Sequence, residues 1–330
     1  MPDTYEVQPV EDYAIWDTFV SQSIGGTIFS TQPWLDCAAQ TLGGQFKLYG
    51  CYKNGHLIAG LSGLEQKRSG LRFLRTPDLT PHGGMLYAPI PSKGPAKLEA
   101  EWGRATRTLL DYLQQRFDYF FLVQAPGLND IREFAWTDWD IRVRYTYQID
   151  LSDLGALWER VERRTRTVIR KAEKLNFDVL PTSDWELLKS YYELIYSQQE
   201  GGTPVDPGLV RDFAANAAKR NLVEAYKVES PTGEVASIVV FVRGFDTVYA
   251  WLNGKDPALN STGAESLLYW RYFARTEYQK FDFVGANMPA IAKFKRGFGG
   301  DLVPYFVTER YRNQLVKAAH TGRRKVRQWL

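Results

Sequence analysis

The strongest constraint on the fold of this chain is an internal duplication with a period of roughly 160 residues. Each half reads as helices, a hairpin, a further strand, a long helix, an aromatic strand, a short connection and a last strand. The segment 117–121 (FDYFF) corresponds to 281–283 (FDF), and 128–134 (LNDIREF) corresponds to 289–294 (PAIAKF). The period is too long for a solenoid repeat, so it indicates a duplicated domain.

The order of elements predicts an α/β fold with two domains, 1–150 and 151–330, each a mixed, twisted sheet flanked by helices. Asn54-Gly55 lies between two apolar segments and predicts a hairpin in the first domain. Residues 231–233 (PTG) indicate the matching hairpin of the second domain. A single basic helix is predicted over 154–175, because apolar residues recur there at three- and four-residue steps.

The composition is that of an ordinary globular protein, with 44% apolar and 24% charged residues in 330. The chain shows no apolar run long enough to span a membrane and no signal-peptide pattern at its N-terminus. Two cysteines and three histidines are too few for a disulfide framework or a Cys/His zinc site. We therefore expect a metal-free protein of the cytoplasm.

The net charge is only +3, but the positive charge is concentrated in two segments. Residues 159–174 carry seven Lys or Arg against three Glu, and residues 317–330 carry five cations and no acid. Such patches indicate a phosphate-bearing partner, although solvated helix faces produce the same pattern. The C-terminal patch suggests peripheral contact with an anionic membrane or with RNA, and a merely soluble terminus is the alternative.

The densest group of special residues is the segment 294–300 (FKRGFGG), which follows a short predicted helix. Its three glycines permit left-handed backbone or a close approach to a ligand. A helix C-cap followed by a tight turn, with solvated cations, explains the same residues. The first copy has Ala135 where Lys295 stands and lacks the glycines. A turn needed only by the fold would occur in both copies, so the asymmetry predicts that the chemistry lies in the second domain.

The order of elements in each half resembles the acetyltransferase (GNAT) fold. Two such copies in tandem resemble the Fem-type (FemAB-like) peptidoglycan aminoacyl transferases and the CelD-like acetyltransferases. The segment 165–174 (TRTVIRKAEK) is similar to the basic R-x-x-I-R-K-A helix of those families. The segment 294–300 is similar to their F-K-x-G-F-G-G motif. The resemblance spans nearly the whole chain.

This resemblance implies an N-acyl transfer, in which an amine attacks an activated acyl carbonyl and no cofactor is tightly bound. It implies that Lys295 is catalytic and acts near the reacting ester, and that Arg166 of the basic helix contacts phosphates of the acceptor. The candidate substrate-binding residues beside the two motifs are Phe294, Arg163, Arg166 and Arg170. The candidate cofactor-binding residues are Gly263, Gly297 and Gly299. For the three arginines, plain solvent exposure is the alternative.

The acyl donor stays open between acyl-CoA and aminoacyl-tRNA. Larger Fem-type enzymes carry a coiled-coil insertion associated with tRNA, and this chain has no heptad array after the basic helix. The coenzyme-A loop of ordinary acetyltransferases is also imperfect, since residues 260–265 (NSTGAE) keep only Gly263 of the pattern. The missing insertion favours acyl-CoA or another small donor. The Fem-type resemblance implies a muropeptide-like acceptor with phosphate and, for that donor, a tRNA partner.

Amide formation requires a neutral amine, aligned reactants and donors aimed at the developing oxyanion. A cation such as Lys295 suits the last task. His82 and Asp78, in one loop rich in proline and glycine, are the candidate general bases, and a histidine that satisfies a turn backbone is the alternative. Tyr249, Trp251 and Asn253 alternate along one predicted strand and could line a groove, or belong to the core.

The sequence thus predicts an N-acyltransferase that acts in the cleft between two GNAT-like domains, in cell-envelope or polysaccharide metabolism. The alternative is a degenerate acyltransferase without catalytic activity, which binds an anionic envelope or nucleic-acid partner through the basic segments.

Overall fold

The computed structural model describes residues 3–90, 94–197 and 202–321 of the chain. They form two compact units: residues 3–144 with 304–321, and residues 145–303. Most of the basic tail lies outside the described residues, so the membrane or RNA contact predicted for it stays a prediction. Within the described part of the chain, no helix is both long and apolar enough to cross a membrane.

The first unit follows the predicted order of a hairpin, a further strand, a long helix and an aromatic strand. Its elements are β1 (Tyr5–Pro9), α1 (Tyr13–Gln22), α2 (Gln32–Leu42), β2 (Gln45–Lys53), β3 (His56–Arg68), β4 (Leu71–Arg75), β5 (Gly84–Tyr87), α3 (Pro95–Gln114), β6 (Tyr119–Val123), α4 (Arg132–Trp136) and the start of β7 (Asp140–Asp150). The short strands β1 and β5 are absent from the sequence-based prediction.

The second unit repeats this order. It begins within β7 and contains α5 (Leu154–Arg160), α6 (Arg163–Lys174), β8 (Asp178–Pro181), α7 (Trp185–Ser197), α8 (Pro207–Lys219), β9 (Val223–Glu229), β10 (Val235–Arg243), β11 (Thr247–Lys255), α9 (Ala264–Phe273), β12 (Lys280–Asp282) and α10 (Pro289–Arg296). The next strand, β13 (Asp301–Tyr311), starts in the second unit and continues in the first, where α11 (Gln314–Thr321) follows.

In the first unit the strand order is β1-β2-β3-β4-β6-β13, and β5 pairs with β3. The pair β4·β6 is parallel and the other pairs are antiparallel. Asn54 and Gly55 both have positive φ, 49° and 82°, which the two-residue turn between β2 and β3 requires. The predicted hairpin is therefore confirmed. The helix α3 lies against this sheet, and its Leu109, Leu110 and Leu113 are fully buried.

In the second unit the order is β7-β12-β11-β10-β9-β8, with β11·β12 parallel. The helices α6 and α9 bury their apolar faces against this sheet in one core cluster. At its centre the rings of Phe241 and Tyr272 stack with centroids 3.7 Å apart. Phe281 and Phe283, which flank Asp282, are fully buried in the same cluster. The predicted α/β class, with mixed sheets flanked by helices, is confirmed.

The prediction of one basic helix over 154–175 is wrong, because the chain forms two helices, α5 and α6. At the junction Val161 adopts extended backbone, with φ −61° and ψ 129°. The amide of Glu162 then donates to the carbonyl oxygen of Gly297 at 2.9 Å instead of to a helix carbonyl. The apolar stripe continues through the break because Val161 is itself buried, and for this reason the periodicity alone did not reveal it.

The last described segment of the chain packs in the first unit, although the predicted domain limits place it in the second domain. Residues 307–311 of β13 pair with 119–123 of β6, so the segment 304–321 packs in the first unit. Residues 145–150 of the first predicted domain thus belong to the second unit, and residues 304–321 of the second predicted domain belong to the first. The limits 1–150 and 151–330 stay a prediction about the duplicated sequence.

Candidate functional site

The ammonium group of Lys295 lies in the last turn of α10 and donates to three backbone carbonyls. Its Nζ is 2.7 Å from the oxygen of Phe283, 3.1 Å from that of Val284 and 2.6 Å from that of Gly285. A lysine ammonium has three hydrogens to donate. Lys295 can therefore donate all three hydrogens to the carbonyls of one turn, residues 283–285, which follows β12.

The amide groups of the same turn also make hydrogen bonds. The amide of Val284 donates to Oδ1 of Asp282 at 2.7 Å, and the amide of Gly285 donates to Oγ1 of Thr146 at 3.2 Å. The Thr146 hydroxyl in turn donates to Asp282 at 2.5 Å. Val284 has a φ of 52°, which is costly for a β-branched residue. The turn is strained and is fixed by its surroundings.

The turn is contacted by the cation Lys295 on one side and by the carboxylate of Asp282 on the other. Burial lowers the pKa of Lys295 to about 8, against the attraction of Asp282 and Glu265. Burial raises the pKa of Asp282, although bonds from Thr146 and Gln148 favour its ionised form. Perturbed pKa values of this kind concentrate at functional sites, and they also occur in structural ion-pair networks.

Beside the turn, the parallel strands β11 and β12 stop pairing, and the gap between them beyond Tyr249 is called the crevice. They pair only from Thr247 to Tyr249 on β11, while β11 itself continues to Lys255. Beyond Tyr249, no strand among the described residues pairs with β11 on this side. Ligands of open α/β sheets bind outside the carboxyl ends of their strands. The turn that Lys295 holds follows one of those carboxyl ends.

In the first unit, the corresponding position between the parallel strands β4 and β6 is occupied by the chain itself. The amide of Thr76 donates to Phe121 at 2.8 Å, and the amide of Gly83 donates to Val123 at 2.8 Å. The loop between Thr76 and Gly83 thus continues the pairing with β6 where β4 ends. This difference supports the prediction that the chemistry lies in the second half.

Glu265 is a residue that the sequence reasoning missed. It lies in the first turn of α9, and its half-buried carboxylate accepts from Nδ2 of Asn253 at 3.1 Å and from Nζ of Lys255 at 3.2 Å. Its charge also acts on Lys295. Only its place two residues after Gly263, at the start of a predicted helix, could have drawn attention to it. Asn253, a predicted substrate-binding residue, is exposed and lies beside this carboxylate.

The three candidate cofactor-binding glycines pack closely against α5 and α6. A Cβ on Gly263 would lie 2.3 Å from the carbonyl oxygen of Val168, and one on Gly299 would lie 2.7 Å from the carbonyl carbon of Arg160. A Cβ on Gly297 would lie 2.3 Å from Oγ1 of Thr165. The close approach of these segments to α5 and α6 accounts for the glycines without a ligand. Their role in cofactor binding stays a prediction.

The predicted arginine stripe divides into two kinds of residue. Arg166 turns back onto α5, where it donates to the carbonyl of Trp158 at 3.1 Å and lies 3.5 Å from Glu159. Arg163 and Arg170 are exposed, and no acidic side chain in the described residues pairs with either. The Arg170 guanidinium lies 5.5 Å from the ring of Trp158. Arg163 and Arg170 are therefore available to an anion, whereas Arg166 braces the helix junction.

The predicted aromatic residues belong to the core. Tyr249 is buried, and Trp251 is buried with its ring 5.1 Å from that of Phe213. Phe294 is half-buried and packs edge-to-face against Tyr269 and Phe298. These environments favour the core alternative over a groove lining.

His82 lies in the first unit, buried within the loop that follows β4. Its ring packs edge-to-face on Phe29 at 4.9 Å, and its Nδ1 is 3.4 Å from Oγ1 of Thr27. Burial lowers the pKa of His82 to about 3. A base of that pKa takes up protons poorly near neutral pH, and a buried ring does not meet a substrate. The environment argues for a structural histidine.

The described residues hold no group of three or more His, Cys, Asp or Glu side chains that could bind a metal ion.

Comparison with known proteins shows a match to a family model over part of the chain and a similar fold over most of it. Residues 152–296 match the family model described as an acetyltransferase (GNAT) domain. That segment contains α5 to α10, with the crevice, Glu265 and Lys295. No curated protein sequence matches the chain significantly.

Solved structures match the chain over nearly its full length. FemX is 12% identical, covers 95% of this chain and 99% of its own, and superposes with a TM-score of 0.69. L-PGS from Bacillus licheniformis is 11% identical, with coverages of 91% and 98% and a TM-score of 0.53. A tandem GNAT protein from the clavulanic acid biosynthesis pathway is 14% identical, with coverages of 94% and 99% and a TM-score of 0.50.

At these identities the likeness concerns the fold. It extends over both halves, and the second half matches the GNAT family model in addition. The predicted resemblance to tandem-GNAT acyltransferases of the Fem type is thereby confirmed, and with it the GNAT acyltransferase class of the fold.

Proposed function

We propose that this chain, a tandem-GNAT protein by its fold, is an N-acyltransferase that joins an acyl group from acyl-CoA to a primary amine. The observation that carries the proposal is the crevice between β11 and β12, inside the segment that matches the GNAT family model. It combines a gap between parallel strands, a strained turn held by Lys295 and a half-buried carboxylate, Glu265.

Three observations support acyl-CoA as the donor. Arg163 and Arg170 on α6 present unpaired positive charge, which suits the phosphates of coenzyme A. The clavulanic acid pathway protein was solved in a form described as being without AcCoA, which links that related fold to this donor. Between α6 and α7 the described chain has only β8, so the coiled-coil insertion of larger Fem-type enzymes has no counterpart there. Aminoacyl-tRNA is the alternative donor.

The acceptor is proposed to be a small, amine-bearing building block of the cell envelope or of a polysaccharide. The Fem-type resemblance and the likeness to FemX support this choice, and the same resemblance implies phosphate on the acceptor. With the exposed Arg163 and Arg170, α6 could serve the phosphates of either the donor or the acceptor, and measuring the binding of each donor distinguishes these roles.

The proposed reaction needs little from the protein beyond alignment and proton transfer. The ammonium group of the acceptor gives one proton to Glu265, and the neutral amine attacks the thioester carbonyl. The new C–N bond forms as the C–S bond breaks, and the second amine proton reaches the departing thiolate. Glu265 suits this task because Asp282, the other carboxylate that acts on Lys295, is buried and accepts three hydrogen bonds.

The test is amide synthesis by the purified full chain. Acetyl-CoA is offered with a panel of amines that includes glucosamine and a muropeptide, and both free thiol and product mass are measured. We expect thiol release that depends on the amine and a product heavier by one acetyl group. Thermal unfolding with acetyl-CoA, coenzyme A and alanyl-tRNA, each as sole addition, identifies the donor by stabilisation.

The absence of amide with every donor, together with no stabilisation by acetyl-CoA, would overturn the proposal. A response to tRNA or heparin that is lost at high salt, without acyl transfer, would support the non-catalytic binding module instead. The control for net charge is the Lys189→Ala variant, which removes a half-buried cation of α7 that lies outside both motifs.

A further inference from the structure

We propose that Lys295 is a positioning residue, which clamps the strained turn 283–285 and so fixes the wall of the crevice instead of contacting the reacting carbonyl. The inference deepens the proposed function and rests on it for its kinetic test. It changes the role implied by the family resemblance, in which the lysine acts near the reacting ester.

The first argument is the use of the ammonium hydrogens. Oxygens of Phe283, Val284 and Gly285 lie within 3.1 Å of Nζ, so none of the three hydrogens is left for a developing oxyanion. A direct role would require Lys295 to release at least one of these carbonyls during each turnover. The neighbouring cation Lys293 is exposed and makes no comparable contact with this turn.

The second argument is the strain that the clamp opposes. Val284 is left-handed with φ 52°, and the following Gly285 has φ 81°. A β-branched residue leaves this region unless its surroundings hold it there. Moreover, three carbonyl oxygens converge on one point and repel each other. A cation at that point stabilises the arrangement, and an apolar side chain of similar length does not.

The third argument is that the turn has no donors of its own to offer. The amides of Phe283 and Ala286 donate to the carbonyls of Tyr147 and Tyr145, at 3.0 Å and 2.6 Å. The amides of Val284 and Gly285 donate to Asp282 and Thr146. The turn therefore contributes shape to the crevice. Its half-buried Val284 and Gly285 lie next to the point where β11 and β12 part.

The experiment is a double-mutant cycle with Lys295→Met and Val284→Gly, and Lys293→Met as the matched control. Glycine adopts the left-handed conformation without strain, so it lessens the need for a clamp. We expect Lys295→Met to lower kcat by roughly a hundredfold through misplacement of the crevice wall. Adding Val284→Gly should then restore kcat by about tenfold, with the KM of acetyl-CoA unchanged. Lys293→Met should behave as wild type.

If Lys295 contacts the reacting carbonyl, Val284→Gly has nothing to restore, and equal kcat values for the single and double variants would overturn the clamp. Should Lys295→Met fail to fold, a folded double variant supports the clamp, and a double variant that also fails to fold contradicts it. This comparison decides the question even if kinetics of the single variant cannot be measured.

A second readout needs no substrate. Hydrogen exchange at the amides of Val284 and Gly285 should accelerate in Lys295→Met and slow again in the double variant. In wild type, protection at these amides should decrease above about pH 8 as Lys295 loses its proton, and Lys295→Met should lack this step. Unchanged protection in Lys295→Met would refute the clamp. If wild type forms no amide, the proposed function fails, while this measurement still decides on the clamp.

Discussion

A methyl group on Gly263 would lie 2.3 Å from the carbonyl oxygen of Val168, and Gly263 itself is left-handed with φ 84°. The start of α9 is therefore seated directly on the backbone of α6. This contact links the arginine face of α6 to the crevice, because Gly263 immediately precedes the helix turn that carries Glu265. Gly263, which the sequence suggested for cofactor binding, allows the close packing of α9 on α6 at this junction.

Gly263→Ala should destabilise the protein by about 3 kcal/mol, which combines the cost of a left-handed alanine with a clash against immobile backbone. Gly233→Ala is the matched control, since Gly233 has φ 85° but nothing within 4 Å of a new Cβ. We expect the control to lose only about 1 kcal/mol. Urea unfolding of both variants measures the difference, and equal losses would contradict the packing explanation.

His82 should make stability depend on pH in the acidic range. Its pKa is lowered to about 3 in the folded state by burial, whereas an unfolded histidine titrates near 6.5. Below about pH 6.5 the unfolded chain therefore binds a proton that the folded chain does not, so stability falls as the pH falls, by up to about 1.4 kcal/mol per unit. His82→Gln should flatten this dependence in urea unfolding between pH 7 and pH 5.

The control for that experiment is His56→Gln, because His56 is exposed in the hairpin that joins β2 and β3. It should leave the slope as in wild type. A slope that is the same in His82→Gln and in wild type would mean that the ring is not held neutral.

Arg170 is expected to contribute to donor binding through charge. Arg170→Ala should weaken acetyl-CoA binding by about 1 kcal/mol, roughly fivefold, since an exposed charge pair is worth no more than that. Its thermal stability should remain within about 0.5 kcal/mol of wild type. Calorimetric titration at low and high salt is the measurement. If Lys189→Ala weakens binding as much as Arg170→Ala, the effect comes from net charge and the stripe has no specific role.

Glu265→Gln should lower amide synthesis at neutral pH by about a hundredfold, the usual contribution of a general base. The loss should shrink as the pH rises and the amine deprotonates in solution. Lys255→Met is the matched control, because it breaks the same 3.2 Å ion pair but leaves the carboxylate in place. It should keep most of the activity across the pH profile. A pH-independent loss in Glu265→Gln, shared by Lys255→Met, would assign the pair to structure alone.

Several parts of the fold follow from local patterns. Asn54-Gly55 specifies its hairpin because both residues tolerate positive φ, and the alternation around it places β2 and β3. The predicted apolar stripe of the basic segment identified part of the buried side, since its Leu157, Val161 and Ala172 are buried. Its Leu175 is exposed, however, and the buried Ile169 lies outside the predicted stripe. The break between α5 and α6 could not be predicted, because it depends on a hydrogen bond from Glu162 to Gly297, which is remote in sequence.

The sequence proposed a position for the candidate site but none of its contacts. The motif 294–300 pointed to the second half, and Lys295 there holds the only turn described in this chain in which a valine is left-handed. Glu265 carries no local signal, since a glutamate in the first turn of a helix is ordinary. Trp251 and Tyr249 alternate as a groove lining would, yet both are buried, and the ring of Trp251 packs against Phe213 of α8.

By itself, the sequence determined that the fold is duplicated, that each copy is a mixed sheet with helices, and that only the second copy carries the lysine and its glycines. These properties reside in short-range periodicity, turn chemistry and the comparison of two halves. Only the tertiary structure decided that Gly263 serves α6, that Lys295 faces three carbonyls, and that β11 and β12 part beyond Tyr249. Each of these depends on contacts between backbone groups that are distant in sequence, and local residue patterns do not reveal such contacts.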